Sequence, residues 1–225
     1  MNIASNIETV QEKIRCAAEK AGRNPDEITL IAVTKTVDSE AARQVMQAGV
    51  LDLGENRVQS FLDKYEALGD EPRWHIIGHL QTNKVKYIIG KVQLIHSVDS
   101  LHLAEEINKK ALALGLSQDI LFQFNISGEA SKSGAAEEEA ERIFEALSKL
   151  QGISVRGLMT MAPLLADDSE TKQVFAGLRK LSEKISTWQY PNISMDYLSM
   201  GMSGDFEAAI SEGANLVRIG SALFK

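Results

Sequence analysis

A chain of 225 residues, 44% hydrophobic and 24% charged, has the makeup of a soluble globular protein with length for one large domain or two small ones. A net charge of −7 without any basic run excludes a surface built to track nucleic acid or an anionic membrane, and leaves room only for a local anion pocket. The single cysteine, Cys16, excludes an intrachain disulfide and a thiol-rich metal site, and no apolar stretch approaches the roughly 20 residues of a membrane span. The polar, amphipathic start MNIASNIETVQEKIRCAAEK is no signal peptide, so the expected location is cytoplasmic.

Ile3, Ile7, Val10, Ile14, Ala17 and Ala21 recur at spacings of three and four, which predicts an opening helix with one apolar stripe, stopped by Gly22 and Pro25. An alternation then begins. ITLIAVTK reads as a strand and SEAARQVMQAG as a helix, with Asp38 or Ser39 as cap and Gly49 closing it. VLDLGEN leads into RVQSFLDKYEALG, RWHIIGHL into NKVKYIIGKV, and QLIHSVDS into LHLAEEINKKALALG. DILFQFNIS precedes the acidic helix AAEEEAERIFEALSKL, whose EEEAE run suits a solvated first turn. ISVRGLMTMA precedes SETKQVFAGLRKLSEKIS, MDYLSMGMS precedes DFEAAISEGA, and NLVRIGSALF comes last.

Eight strand candidates with a helix between each successive pair imply parallel pairing and right-handed crossovers. That pattern, in roughly 200 to 250 residues, fits a (β/α)8 TIM-type barrel with an extra N-terminal helix better than an open doubly wound sheet. The first strand is followed by TKTVDSE, which lacks the Gly-rich turn of a dinucleotide fold. With no helix expected after the eighth strand, the opening helix is expected to cover part of that gap.

Barrel sites form at the C-terminal ends of the strands, with phosphate commonly at the loops after the seventh and eighth. Alternation puts Ile31, Val33 and Lys35 on one face; if that face points inward, Lys35 tops the first strand over an apolar floor. Two readings stand for it: an ammonium snorkelling into solvent, or an amine in a dry pocket that forms a Schiff base with a carbonyl. LSMGMSGDFEAAI, with Ser199, Gly201, Ser203 and Gly204 before Asp205, and VRIGSALF, with Gly220 and Ser221, offer backbone N–H groups and a helix start for an anion. Ordinary turns use the same residues. Arg218, inside the last apolar run, needs an acceptor, either an Asp or Glu in a neighbouring layer or a heterocyclic ring nitrogen of a ligand.

Glu55 and Asn56 top the second strand, and His79, Gln81 and Asn83 follow the third, where Asn83 also suits a cap. His75 and His79 have the spacing of a helical metal pair but fall in a strand pattern, and no third ligand accompanies them. His96 and His102 stand alone as surface or packing residues.

The segments AVTKTV, GENRVQ, HIIGHLQTNK, NISGEASKSG, GLMTMAP, LSMGMSGDFEAAI and VRIGSALF occur in that order and span nearly the whole chain. Together they resemble the pyridoxal 5′-phosphate homeostasis protein family, related to the N-terminal barrel domain of alanine racemase. The resemblance implies a single alanine-racemase-N-terminal-like domain over residues 1–225 that binds pyridoxal 5′-phosphate as a covalent aldimine on Lys35. It places Asn56 and His79 beside the ring or the Schiff base, Ser199, Ser203 and Gly220 on the phosphate, Arg218 at the pyridine nitrogen, and Met200 along the site. The terminal ALFK departs from the family's usual small residue after Phe.

A racemase needs two acid/base groups on opposite faces of the substrate carbon, one commonly a Tyr from a second domain. Tyr65, Tyr87, Tyr190 and Tyr197 fall in helices, a loop, or below a strand top, and no residues remain for a second domain. The expectation is therefore a non-enzymatic carrier that stores, delivers or buffers the cofactor and so affects amino-acid and keto-acid balance. Its partners would be the cofactor and apo-enzymes that need it, with neither nucleic acid nor membrane. With no unusually apolar helix face, a monomer is expected. A pyridoxal-dependent racemase or lyase and a cofactor-free Schiff-base aldolase are the alternatives.

Overall fold

The computed structural model describes residues 2–129, 133–163 and 166–225; Ala130, Ser131 and Lys132 of the NISGEASKSG segment lie outside the described residues, as do Leu164 and Leu165. Eight strands close into a barrel in chain order: β1 (Thr29–Val33), β2 (Asp52–Glu55), β3 (Arg73–Ile76), β4 (Leu94–Val98), β5 (Gln118–Gln123), β6 (Ile153–Met159), β7 (Ile193–Ser199) and β8 (Leu216–Ile219). Every neighbouring pair is parallel, including β8 with β1, where Ala32 stands opposite Ile219. Short aliphatic runs such as TLIAV and LVRI suit this arrangement because both of their faces are covered.

The period of two separates a core inside the barrel from one outside it. Ile31, Leu94, Leu121, Met159 and Leu216 fill the interior, with Met161 and Tyr197 against them. Their neighbours Ala32, Ile95, Phe122, Leu158 and Val217 face outward and join the helices in the larger core. At Gly157 (φ +149°) the ladder between β6 and β7 shifts register, and a Cβ there would sit 1.9 Å from the Tyr197 carbonyl oxygen. Only glycine lets those strands approach so closely.

The surrounding helices are α1 (Ile3–Lys20), α2 (Ser39–Gln47), α3 (Val58–Leu68), α4 (Leu101–Ala113), α5 (Ala140–Leu147), α6 (Asp168–Ser186), α7 (Phe206–Ser211) and α8 (Ser221–Phe224). The α1 stripe is buried at Ile3, Ile7, Val10, Ile14, Ala17 and Ala18, and the Asn2 side chain caps it by accepting the Ser5 N–H. Ala21, assigned to the stripe by its spacing, is the half-buried C-cap. α1 packs against α2, α7 and α8, filling the slot that an eighth crossover helix would take. The Asn6 amide pins it there by donating to the Leu223 and Lys225 carbonyls at 3.0 and 3.1 Å.

Two helical expectations change. A single turn, α8, follows β8, where no helix was expected. Between β3 and β4 the helix read from NKVKYIIGKV is a 3-10 turn, Thr82–Tyr87, without a side-chain cap; Ile88 is its C-cap and Gly90 follows at φ +78°. β-Branched Val85, Ile88 and Ile89 are poor helix propagators in so short a span.

Candidate functional site

The β1 ladder stops at Val33, and Lys35 lies two residues farther on, in the turn leading to α2, where it is exposed. The expected dry pocket for this amine is therefore not present: Lys35 projects from the rim. Thr34, the residue before it, is fully buried. Its hydroxyl donates to Glu55 Oε1 at 2.6 Å, and the Lys64 ammonium reaches Glu55 Oε1 at 2.7 Å and the Thr34 carbonyl at 3.0 Å. This buried trio joins the tops of β1, β2 and α3, and fixes the residues that come next in each strand, Lys35 and Asn56.

Val33 pairs with Gly54, so Lys35 and Asn56 each stand two residues beyond a matched position. Asn56 Oδ1 is buried and has no hydrogen-bond partner among the described residues. Its backbone is held by close approach of β3: a Cβ on Gly78 would lie 2.4 Å from the Asn56 carbonyl oxygen. His79 follows on the rim, 63% exposed, with Nδ1 3.3 Å from Asp99 Oδ2.

Across the seam, the loops after β7 and β8 meet. The Ser203 hydroxyl oxygen accepts the N–H groups of Gly220 (3.3 Å) and Ala222 (3.4 Å), and Arg218 N–H donates to the Gly201 carbonyl at 2.9 Å. A Cβ on Gly220 would come within 3.3 Å of Val33 Cβ and 3.4 Å of the Val33 carbonyl oxygen, so this loop touches the end of β1. Asp205 takes the Met202 N–H at 2.5 Å, which withdraws that amide from any anion; burial pushes its carboxyl up.

Two residues named from the sequence have side chains engaged away from the loops after β7 and β8. Met200 is fully buried in the core between barrel and helices, so its side chain does not line the mouth. The Ser199 hydroxyl is fully buried and engaged inside the barrel, accepting from Arg218 Nη1 at 2.5 Å and lying 2.8 Å from His96 Nδ1. Strand parity explains both, since Tyr197 and Ser199 point inward while Leu198 and Met200 point outward. Arg218 itself is 4% exposed and also donates from Nη2 to the Thr160 carbonyl at 3.1 Å. Among the described residues it has no carboxylate partner within ion-pair distance, and burial brings it down to about 10. Of the two readings of Arg218, the structural ion pair is absent.

The interior also contains a polar column that the sequence reading missed. His96 Nε2 lies 2.9 Å from His75 Nδ1, His75 Nε2 lies 3.0 Å from Asp52 Oδ1, and Arg73 grips both Asp52 oxygens at 2.9 and 2.5 Å. His96 is thus neither surface nor solitary, and His75 pairs with it rather than with His79. Burial, then the neighbouring His75 and Arg218, keep His96 well below the usual imidazole range. Burial also pushes the Asp52 carboxyl up, but Arg73 and His75 outweigh it and hold it at about 2. The signal available was parity: His96 is two residues past inward-facing Leu94.

The family described as alanine racemase, N-terminal domain, matches residues 5–225. A pyridoxal phosphate homeostasis protein of Aquifex aeolicus is 45% identical over 225 residues, which is 100% of this chain and 98% of that protein. A solved protein of Bifidobacterium adolescentis superposes with TM-score 0.94 at 37% identity, covering 99% of this chain and 94% of its own. PipY of Synechococcus elongatus, solved with PLP bound, superposes with TM-score 0.87 at 33% identity over 99% of this chain and 100% of PipY.

Proposed function

Because the chain belongs to the pyridoxal phosphate homeostasis protein family and to the alanine racemase N-terminal domain family, we propose that it binds pyridoxal 5′-phosphate at the barrel mouth and stores, buffers and delivers it with little or no turnover. When bound, that cofactor supplies an aldehyde that condenses reversibly with an amine, beside a pyridine nitrogen and a phosphate. In this reading Lys35 is the covalent anchor, and its exposure keeps the link open to exchange. Asn56 Oδ1 supplies a buried acceptor to the ligand, and His79 borders the mouth. Ser203 and Gly220 receive the phosphate, and Arg218 donates to the ring nitrogen. Ser199 serves through Arg218, and Met200 bounds the site through its backbone.

The observation that carries the proposal is the seam between β8 and β1. Gly220 packs against Val33, so the Ser203 hydroxyl that gathers the Gly220 and Ala222 amides lies beside the strand leading to the Lys35 turn. A molecule carrying both an aldehyde and a phosphate needs such a neighbourhood. Borohydride reduction of the protein mixed with the cofactor, followed by peptide mass spectrometry, is expected to find the adduct on Lys35. An adduct on another residue, or no binding at saturating cofactor, overturns the proposal.

The tyrosines support a carrier over a racemase. Tyr65 on α3 donates to Asp70, Tyr87 is exposed on the 3-10 turn, and Tyr190 packs against Trp188 before β7. Tyr197 lines a small cavity at the barrel floor, together with Asp52 and Arg73, the first residues of β2 and β3. None of the four stands on a loop after a strand top. We place the protein in the cytoplasm as a monomer, handing cofactor to apo-enzymes that require it; mixing holo-protein with such an apo-enzyme and measuring regained activity tests the delivery.

A further inference from the structure

The inside of a small barrel is normally packed with aliphatic side chains, and burying polar groups there is costly unless each finds a partner. In this barrel five polar side chains replace that packing along a line from floor to mouth. Asp52 opens β2, and Ser199 ends β7. Between them lie His75 and His96, with Arg218 beyond Ser199.

The two ends fix the protons of the whole line. A guanidinium only donates, so Ser199 Oγ accepts from Arg218 and its own hydrogen must go elsewhere. An ionised carboxylate only accepts, so His75 carries its hydrogen on Nε2, toward Asp52. His75 Nδ1 then accepts from His96 Nε2, and His96 Nδ1 accepts the Ser199 hydroxyl hydrogen. Each of these bonds then has one donor and one acceptor, and each donor is on the Arg218 side of its bond. Reversing the imidazoles would give Ser199 two donors and leave its hydrogen without a described acceptor.

We infer that Asp52, His75, His96 and Ser199 are positioning residues for Arg218, a one-way chain of hydrogen bonds that holds its guanidinium in place to donate to an unprotonated heteroaromatic nitrogen. The inference rests on the cofactor reading above, which already sets Arg218 at the ring nitrogen, and adds to it the residues that hold Arg218 there. Ser199 Oγ, which accepts from Arg218 Nη1 and donates to His96 Nδ1, has no hydrogen to offer a ligand, and Arg218 has no lone pair. A ring nitrogen that accepts is therefore matched, whereas one that carries hydrogen or a methyl group meets a cation. Asp52 anchors the far end because Arg73 holds both of its oxygens, and the floor cavity of about 210 Å3 beside it keeps that anchor near water.

Histidine side-chain 15N shifts of the ligand-free protein test the direction of the chain. Both His75 and His96 are expected as neutral Nε2–H tautomers at pH 7; an Nδ1–H tautomer or an imidazolium at either position overturns it. Dissociation constants for pyridoxal 5′-phosphate and for its 1-deaza analogue, with carbon in place of the ring nitrogen, test the role. His96→Phe is expected to weaken the cofactor about tenfold and leave the analogue unchanged, while His96→Gln, whose amide can both accept and donate, keeps the preference. Equal loss for both ligands, or an unchanged preference in folded His96→Phe, overturns the positioning role alone. Wild-type protein that binds no cofactor overturns the cofactor reading and the ring-nitrogen assignment with it.

Discussion

Lys64 donates to the carbonyl of Thr34 at 3.0 Å and, from the same ammonium, to Glu55 at 2.7 Å, so one side chain from α3 holds the residues just before Lys35 and Asn56. Lys64 is 6% exposed and Glu55 not at all. Removing one partner of such a pair leaves a buried charge alone, which costs about 3–5 kcal/mol. Lys64→Met is expected to lower stability by that amount in urea unfolding, and the double change with Glu55→Gln to cost less than the two single losses added together. Additivity of the two would mean that the trio does not act as a unit.

Among the described residues Lys35 has no hydrogen-bond partner, and it is exposed. Lys35→Ala is therefore expected to change stability by no more than about 0.5 kcal/mol while eliminating the borohydride-trapped cofactor adduct. Mass spectrometry and thermal unfolding on the same sample read both effects. A trapped adduct of undiminished yield would remove Lys35 from its proposed role.

Asp52 gives the fold a defined acid sensitivity. Its folded value of about 2 lies below the ordinary 3.8, so it stabilises the native state fully above the ordinary value and the contribution is lost as pH falls toward 2. The shift corresponds to about 2 kcal/mol. Unfolding free energies measured at pH 7, 4 and 2 are expected to show this loss in the wild type. Asp52→Asn, which keeps an acceptor for His75 but no charge for Arg73, is expected to lack that component.

The Ser203 hydroxyl gathers the Gly220 and Ala222 amides. Ser203→Ala is expected to weaken pyridoxal 5′-phosphate about tenfold and to leave pyridoxal, which lacks the phosphate, unaffected. Titration with both ligands decides this, since an equal loss would place the phosphate elsewhere.

The strand and helix order was legible because each strand is a short aliphatic run and each helix shows its own stripe, as Ile3, Ile7, Val10 and Ile14 do on α1. Where pairing stops was not. LIAVTKTV keeps β-branched residues on both sides of Lys35, and only the outward bond of Thr34 to Glu55 marks the point where the chain leaves the ladder. The trio of Thr34, Glu55 and Lys64 joins a strand end, another strand and a helix, which no local pattern encodes. The polar column was hidden for a related reason. His75 and His96 are ordinary single residues in apolar runs, and their meeting depends on β3 lying beside β4 with both pointing inward. Ser199 was read as a turn residue because Gly201 and Ser203 follow it, although its parity with Tyr197 already directed it into the barrel.

Helix α1 precedes β1 in the chain yet occupies the place behind β8, so the outer ring is indifferent to which end of the polypeptide provides its last member. A circularly permuted gene that began at β1 and carried Ile3–Lys20 behind Lys225 on a short linker would write the same barrel with every α-helix following its strand in chain order, with its mouth unchanged.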